Sequence, residues 1–551
     1  MSGLTIDEVK SIAKKVIDVK EKTHYNSVVK LLNELKTVSH ETQRELADDD
    51  EVEKKYRFLV VSLFQIFKKM FARNDLSLSA HLKSNSDLLK FNQWCRKLYD
   101  SFKTQLLKIL SDFTLETSLA LDSLDLYVQL LELESTYFAT SKDAPFFANK
   151  TLKKLIIALW SSKMDDTSLD IDRVTGQSQN FLLLEFVEKY YKPYVDIQYY
   201  FQTELNQLLS SDEAELDLTS ENCTAKWLAL VNHDNHCSNE DADLEMFVSN
   251  PPKAVENDTK FKSLMEKNWL FYLGGNMSST QYKTVLLILH KRIIPHFHTP
   301  TRLMDFLTDS YSIIDATAGV IPILALNGLF ELIKKYNLEY PNFYQKLYQL
   351  LTPDLMHVKY RARFFRLMDV FLSSTHVSVN LIASFIKKLA RLSLTAPPAA
   401  IVSIIPFIYN LLKKHPNCMI MIHNPKFISN AFHTVEEQQL QRTLKAQYQD
   451  PFNVDEPNPE LTNAFGSSLW ELATLMNHYH PNVASLAKIF GQPFRKLNYN
   501  MEDFLDWSYD SLLAAESNRN LKVLPTLEFE TFDSVFNETE GKNAYLQNIT
   551  W

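Results

Sequence analysis

Val285-Leu-Leu-Ile-Leu289, Ile321-Pro-Ile-Leu-Ala-Leu326, Phe364-Phe-Arg-Leu-Met368 and Ile401-Val-Ser-Ile-Ile405 are the apolar blocks of one stretch, Gln281 to His423, whose reading decides the fold. They are set in helix-length segments that follow one another almost without interruption. The charges between them are mostly positive. From Gln281 to Asn424 there are 16 Lys/Arg against 7 Asp/Glu, a net of +9 in a chain whose total is −9. A basic, apolar block inside an acidic chain is a functional asymmetry before any motif is read.

Outward from that block, glycine usage settles the class. Nine glycines in 551 residues is far below the usual frequency of roughly 7%. Sheet proteins and nucleotide-binding α/β folds need glycine for tight turns and phosphate loops, and this chain has little to give. The reading is all-α. At this length the chain needs two or more domains or one extended repeat array. Cys95, Cys223, Cys237 and Cys418 are few and scattered, which fits a reducing compartment without a disulfide framework. The start lacks the apolar core of a signal peptide. Thr5-Ile-Asp-Glu8 reads instead as a capping box opening a helix with Ile6, Val9, Ile12, Ala13 and Val16 on one face. Ala318 to Phe330, the most apolar run, is too short to span a bilayer. The expectation is a soluble intracellular protein.

Four regions follow. Residues 1–210 read as successive amphipathic helices, the longest (Phe181 to Leu209) kinked by Pro193. Residues 211–260 read as an acidic connector, with 12 Asp/Glu and only Lys226 and Lys253 between Asp212 and Asp258. Residues 261–500 read as a helical-repeat domain, and 501–551 as an acidic tail. Inside the third region, Tyr340-Pro-Asn342, His415-Pro-Asn417 and His480-Pro-Asn482 recur with prolines 75 and 65 residues apart. Each reads as a helix stop, and the spacing suits two helical hairpins per interval. Stacked helix pairs of that size make a HEAT-like superhelix, an α-solenoid.

Chemistry is harder to find. His233, His236 and Cys237 offer ligand types, but their spacing matches no standard zinc pattern, and His296 and His298 diverge on a helix. No metal, cofactor or catalytic residue is expected: there is no phosphate loop, nucleophile elbow or framed carboxylate pair. The best binding candidate is Lys359-Tyr-Arg-Ala-Arg-Phe-Phe-Arg366, which includes Arg361. On a helix it would place Lys359, Arg363 and Arg366 on one stripe, with Phe364, Leu367 and Phe371 on another. Lys387, Lys388 and Arg391 form a second basic cluster. Such residues either grip a partner's carboxylates or phosphates or simply cover a core helix. Leu472 and Leu475, with Trp470 and His478, read as inner core of the last repeat.

Ordered motifs run through the second half: Asp305-Phe-Leu-Thr-Asp-Ser-Tyr311, Leu324-Ala-Leu-Asn-Gly-Leu-Phe-Glu-Leu332, Lys414-His-Pro-Asn417, Ser468-Leu-Trp-Glu-Leu-Ala473 and His478-Tyr-His-Pro-Asn-Val483. This resembles the CCAAT-binding-factor/nucleolar-complex family over roughly residues 265 to 492. The resemblance marks Pro341, Pro416, Trp470, Glu471, His478, His480 and Pro481 as signature positions with structural roles. It implies a non-enzymatic factor of the nucleus and nucleolus, needed in the small-subunit processome for small-subunit rRNA maturation and export. It also implies a tight complex with a protein partner, nucleolar protein fourteen. The rival expectation is a scaffold that binds pre-ribosomal RNA directly through residues 281–424.

Overall fold

The computed structural model describes residues 4–18, 22–38, 50–76, 86–113, 117–139, 144–162, 180–211, 217–233, 236, 244–313, 320–336, 340, 342–374, 376–427 and 434–520. Among them the secondary structure is helical throughout, apart from one isolated parallel bridge between Tyr194 and Glu245. No helix among the described residues is long and apolar enough to cross a membrane.

Two compact units divide the chain. The first comprises Met1–Leu350 and Val358–Leu367, the second Leu351–His357 and Met368–Trp551. In the first unit each helix packs on neighbours one or two further along the chain. Ile6–Asp18 lies on Asp50–Ala72, which lies on Ser118–Tyr137. Ser86–Asp112 lies on Asn149–Ser161, then come Val195–Ser210 and Asp258–Leu273 in turn. Contacts confined to near neighbours define an all-α helical-repeat fold of the solenoid kind. In the second unit Val379–Ser393 packs on Pro398–Lys414, which packs on Pro481–Ala487.

Local signals acted as their chemistry requires. Thr5 and Glu8 exchange reciprocal hydrogen bonds at the start of the first helix, and Val9, Ala13 and Val16 are buried beneath it. The long segment around Pro193 breaks into Phe181–Phe186, a π turn Val187–Tyr191, and Val195–Ser210.

The acidic stretch 211–260 proves to be part of the first unit rather than a bare linker. Its Glu221–Val231 helix is capped by Ser220 and buries Trp227 completely. The Trp227 ring stacks on Tyr272 at 5.1 Å and meets Trp269 edge-on at 5.4 Å. Further along, buried Asp196 accepts from the Phe247 and Val248 N–H groups at 3.0 and 2.8 Å. Trp227-Leu-Ala-Leu-Val231 reads in the sequence as a short ordered island within the acidic stretch, and it is one; the Asp196 contacts span 51 and 52 residues and carry no local signal.

Lys226 shows how strongly this stretch is tied in. Its ammonium is buried and donates to the carbonyl oxygens of Leu159, Trp160 and Ser162 at 3.0, 2.8 and 2.5 Å. These carbonyls end the Asn149–Ser161 helix, so one side chain satisfies acceptors that the helix cannot satisfy itself.

Candidate partner-binding surface

The seven basic positions separate into very different environments. In the first unit the helix begins at Arg361, so Lys359 sits in the preceding turn, closed by the Arg361 N–H on the Val358 oxygen at 3.1 Å. Lys359 and Arg366 are exposed, and Arg361 and Arg363 are half-buried. Arg363 turns inward. Its Nη2 donates to Asn327, whose carboxamide oxygen faces it at 3.1 Å, and approaches His290 Nε2 at 3.4 Å. Burial, with Arg363 and Lys291 nearby, pushes His290 down to about 4, so the neutral ring can accept that bond. The predicted single stripe therefore splits into an outward pair and an inward anchor.

In the second unit the correction is larger. Lys387 lies in the core, where its ammonium donates to both Glu471 oxygens at 2.7 and 3.0 Å and to the Ser468 carbonyl at 2.6 Å. Arg391 Nε lies 2.9 Å from Glu471 Oε1, and Asp450 lies 3.3 Å from both cations. Two positive and two negative groups thus neutralise one another. Lys388 is half-buried, and desolvation lowers it to about 8. This cluster fastens the 450–475 segment to the Val379–Ser393 helix. Only a half-buried Arg391 remains at its edge.

The signature positions follow the same logic. Glu471 is the buried acceptor just described, and Leu472 and Leu475 are core. Trp470 is not: it is 43% exposed and lies under the Arg391 guanidinium at 4.9 Å. Pro481 is the first residue of the Pro481–Ala487 helix, so it starts a helix instead of stopping one. Its fixed φ and missing N–H suit that position as well as a position past a helix end. His480 precedes it and donates its N–H to His478 Nδ1 at 3.0 Å. Pro416 opens a 3₁₀ turn after the Pro398–Lys414 helix, whose last residue is followed by His415 bonded to the Leu372 carbonyl at 2.7 Å. Pro341 lies outside the described residues, as do Cys237 and the tail beyond residue 520. His233, His236 and His296 do meet, their ring centroids 4.3 and 4.7 Å apart. No group of metal-binding geometry is formed among the described residues.

One surface went unread in the sequence. None of the twelve residues of the Val435–Ala446 helix is buried, and Val435, Leu440 and Leu444 are 70, 62 and 42% exposed. Leu440 and Leu444 are four apart and share a face. Thr434 and Glu437 close a capping box at its start. Near its other end, Lys445 and Tyr448 border a cavity of about 330 Å³ lined also by Met421, Ile422 and Phe427. The capping box followed by Leu440 and Leu444 was a legible signal. An amphipathic helix with its apolar face outward is a surface for another chain.

Comparison with known sequences bears on which chain family carries this surface. Residues 5–214 match the model described as nucleolar complex protein 4-like, TPR repeats, and residues 322–487 match that of the CBF/Mak21 family. Nucleolar complex protein 4 of Saccharomyces cerevisiae is 63% identical over 557 residues, covering 100% of both chains. The chain belongs to the nucleolar complex protein 4 family. More distant members extend the match: homolog A of Xenopus laevis is 36% identical, covering 80% of this chain and 78% of its own. The Mus musculus homolog is 34% identical, covering 80 and 79%. As a member of this family the chain is a nucleolar protein of ribosome biogenesis.

Proposed function

We propose that this chain is a non-enzymatic scaffold for assembly of the small ribosomal subunit. It acts within the small-subunit processome, in rRNA maturation and subunit export, through a tight complex with nucleolar protein fourteen. The observation that carries this reading is the Val435–Ala446 helix, none of whose apolar residues is buried. Burying a leucine-sized side chain contributes about 1.5–3 kcal/mol, so Leu440 and Leu444 are natural anchors for a partner helix. Lys359 and Arg366, the outward members of the basic segment in the first unit, offer a separate set of charge contacts that raises association rate.

The test is co-purification of the full-length chain with nucleolar protein fourteen. Leu440→Glu with Leu444→Glu should abolish recovery while the thermal melt is unchanged, and Lys359→Glu with Arg366→Glu should weaken it in a salt-dependent way. Undiminished recovery from the leucine variant would overturn this surface as the grip. Salt-sensitive RNA binding by the wild-type chain, lost in the basic variant with partner recovery intact, would favour the RNA-binding reading instead.

A further inference from the structure

A second built site lies in the first unit and shares no residue with the partner-binding positions above. The Ser86–Asp112, Ser118–Tyr137 and Asn149–Ser161 helices contribute to a cavity of about 540 Å³. That size falls within the roughly 300–1,000 Å³ range of ligand clefts. At its floor the buried carboxylate of Glu134 accepts from Lys103 at 2.7 Å, from the Tyr99 hydroxyl at 2.6 Å, and from Thr151. The Glu134 floor is therefore neutral, and the exposed Asp100, 3.6 Å from Lys103 Nζ, also borders the cavity. Its walls are aromatic: Phe138 lies under the Arg96 guanidinium at 4.8 Å, Phe147 is buried, and Phe146 is 36% exposed.

The rim is different. Lys150 and Lys154 project from one face of the Asn149–Ser161 helix, four residues apart and both exposed. Neither has a carboxylate partner among the described residues, whereas Lys103 pairs with Glu134 and Arg96 Nε donates to the Leu76 carbonyl at 2.7 Å. Ala148, at the N-cap of the same helix, supplies no side-chain cap, so the positive end of that helix adds to the rim.

We propose that this cavity binds an acidic peptide segment of another protein. An aromatic or large aliphatic side chain enters beside Phe138, and its flanking carboxylates meet Lys150 and Lys154. Two exposed cations offer little to an RNA backbone, whose affinity grows with the number of phosphates neutralised. An aromatic pocket under two cations suits a short apolar anchor between acidic residues. The site shares no residue with the Val435–Ala446 surface, so the failure of either proposal leaves the other intact.

The experiment is fluorescence anisotropy on the full-length chain with labelled twelve-residue acidic peptides carrying one central Phe. Saturable, salt-sensitive binding is expected. It should weaken at least tenfold in Lys150→Glu with Lys154→Glu, and equally when the peptide Phe becomes Ala or its carboxylates become amides. Both lysines are on the surface, so the variant should melt with the wild type; the two altered peptides test the site without any mutation. Absence of saturable binding, binding indifferent to the variant and to both peptide changes, or tighter binding of a twelve-nucleotide uridine RNA lost in the same variant would each overturn the proposal.

Discussion

Lys387 holds both carboxylate oxygens of Glu471, at 2.7 and 3.0 Å, with neither side chain exposed to solvent. Removing one member of a buried pair strands the other, at a cost of about 3–5 kcal/mol. Glu471→Ala should cost more than Lys387→Met, because it leaves two cations to share Asp450 alone, whereas Arg391 still faces Glu471 when Lys387 is gone. The double replacement by methionine should recover at least half of the larger loss. Denaturant unfolding of the four proteins checks the order.

Lys226 should behave as a helix cap with a pH signature. Lys226→Met takes the ammonium from three carbonyls, of which only that of Leu159 keeps a donor, the Ser162 hydroxyl, and should destabilise the first unit by about 1–3 kcal/mol. Burial lowers the folded-state value to about 8, from an ordinary 10.5. Between those values the unfolded chain binds the proton more readily than the folded one, so this residue makes stability rise with pH across that window. Comparing urea midpoints of wild type and Lys226→Met from pH 8 to 10.5 should show the rise in the wild type alone.

Asp450 makes the opposite kind of prediction, at acid pH. Burial alone would raise its carboxyl, but the Ser467 hydroxyl, the Phe452 N–H and Lys387 together hold it below the ordinary 3.8. A carboxylate depressed in the folded state contributes stability that is complete above its ordinary value and lost as pH falls through the folded one. Asp450→Asn should lower stability at pH 7 and flatten the dependence of the second unit below pH 3.8. An acid titration of unfolding midpoints would show it.

Gly328 sits mid-helix in Val320–Tyr336, where a Cβ would lie 2.8 Å from a Leu307 methyl carbon and 2.9 Å from one of Leu289. Both leucines are completely buried, so neither tip can swing away. Gly328→Val should cost about 1–3 kcal/mol through overpacking. Gly328→Ala should cost less, because alanine regains about 1 kcal/mol of helix propensity. Thermal melts of the two variants give the comparison.

What the sequence made legible was whatever depends on near neighbours. The Thr5–Glu8 cap, the break at Pro193 and the all-α class follow from spacing and composition, and each is present. What it hid was long-range. Lys387 and Lys226 read as surface charge because lysine is rarely buried, and their acceptors lie 84 and 64 to 67 residues away. Pro481 was ambiguous in itself, since proline suits either side of a helix boundary. Trp470 looked like core because it is large and apolar, yet cations from the Val379–Ser393 helix supply its contact instead. The apolar side of Val435–Ala446 passed unnoticed because only three of its twelve residues are large and apolar.

The Lys387–Glu471 pair also imposes a schedule on synthesis. The Val379–Ser393 helix leaves the ribosome carrying a lysine in its apolar face, and the carboxylate that neutralises it follows 84 residues later. At about 5–20 residues per second this is a delay of roughly 4 to 17 s. Until Glu471 emerges, that helix cannot settle on its neighbours without desolvating a lone ammonium. The second unit therefore closes late and from its C-terminal side, and a chain truncated before residue 471 would be left open for chaperones and proteases.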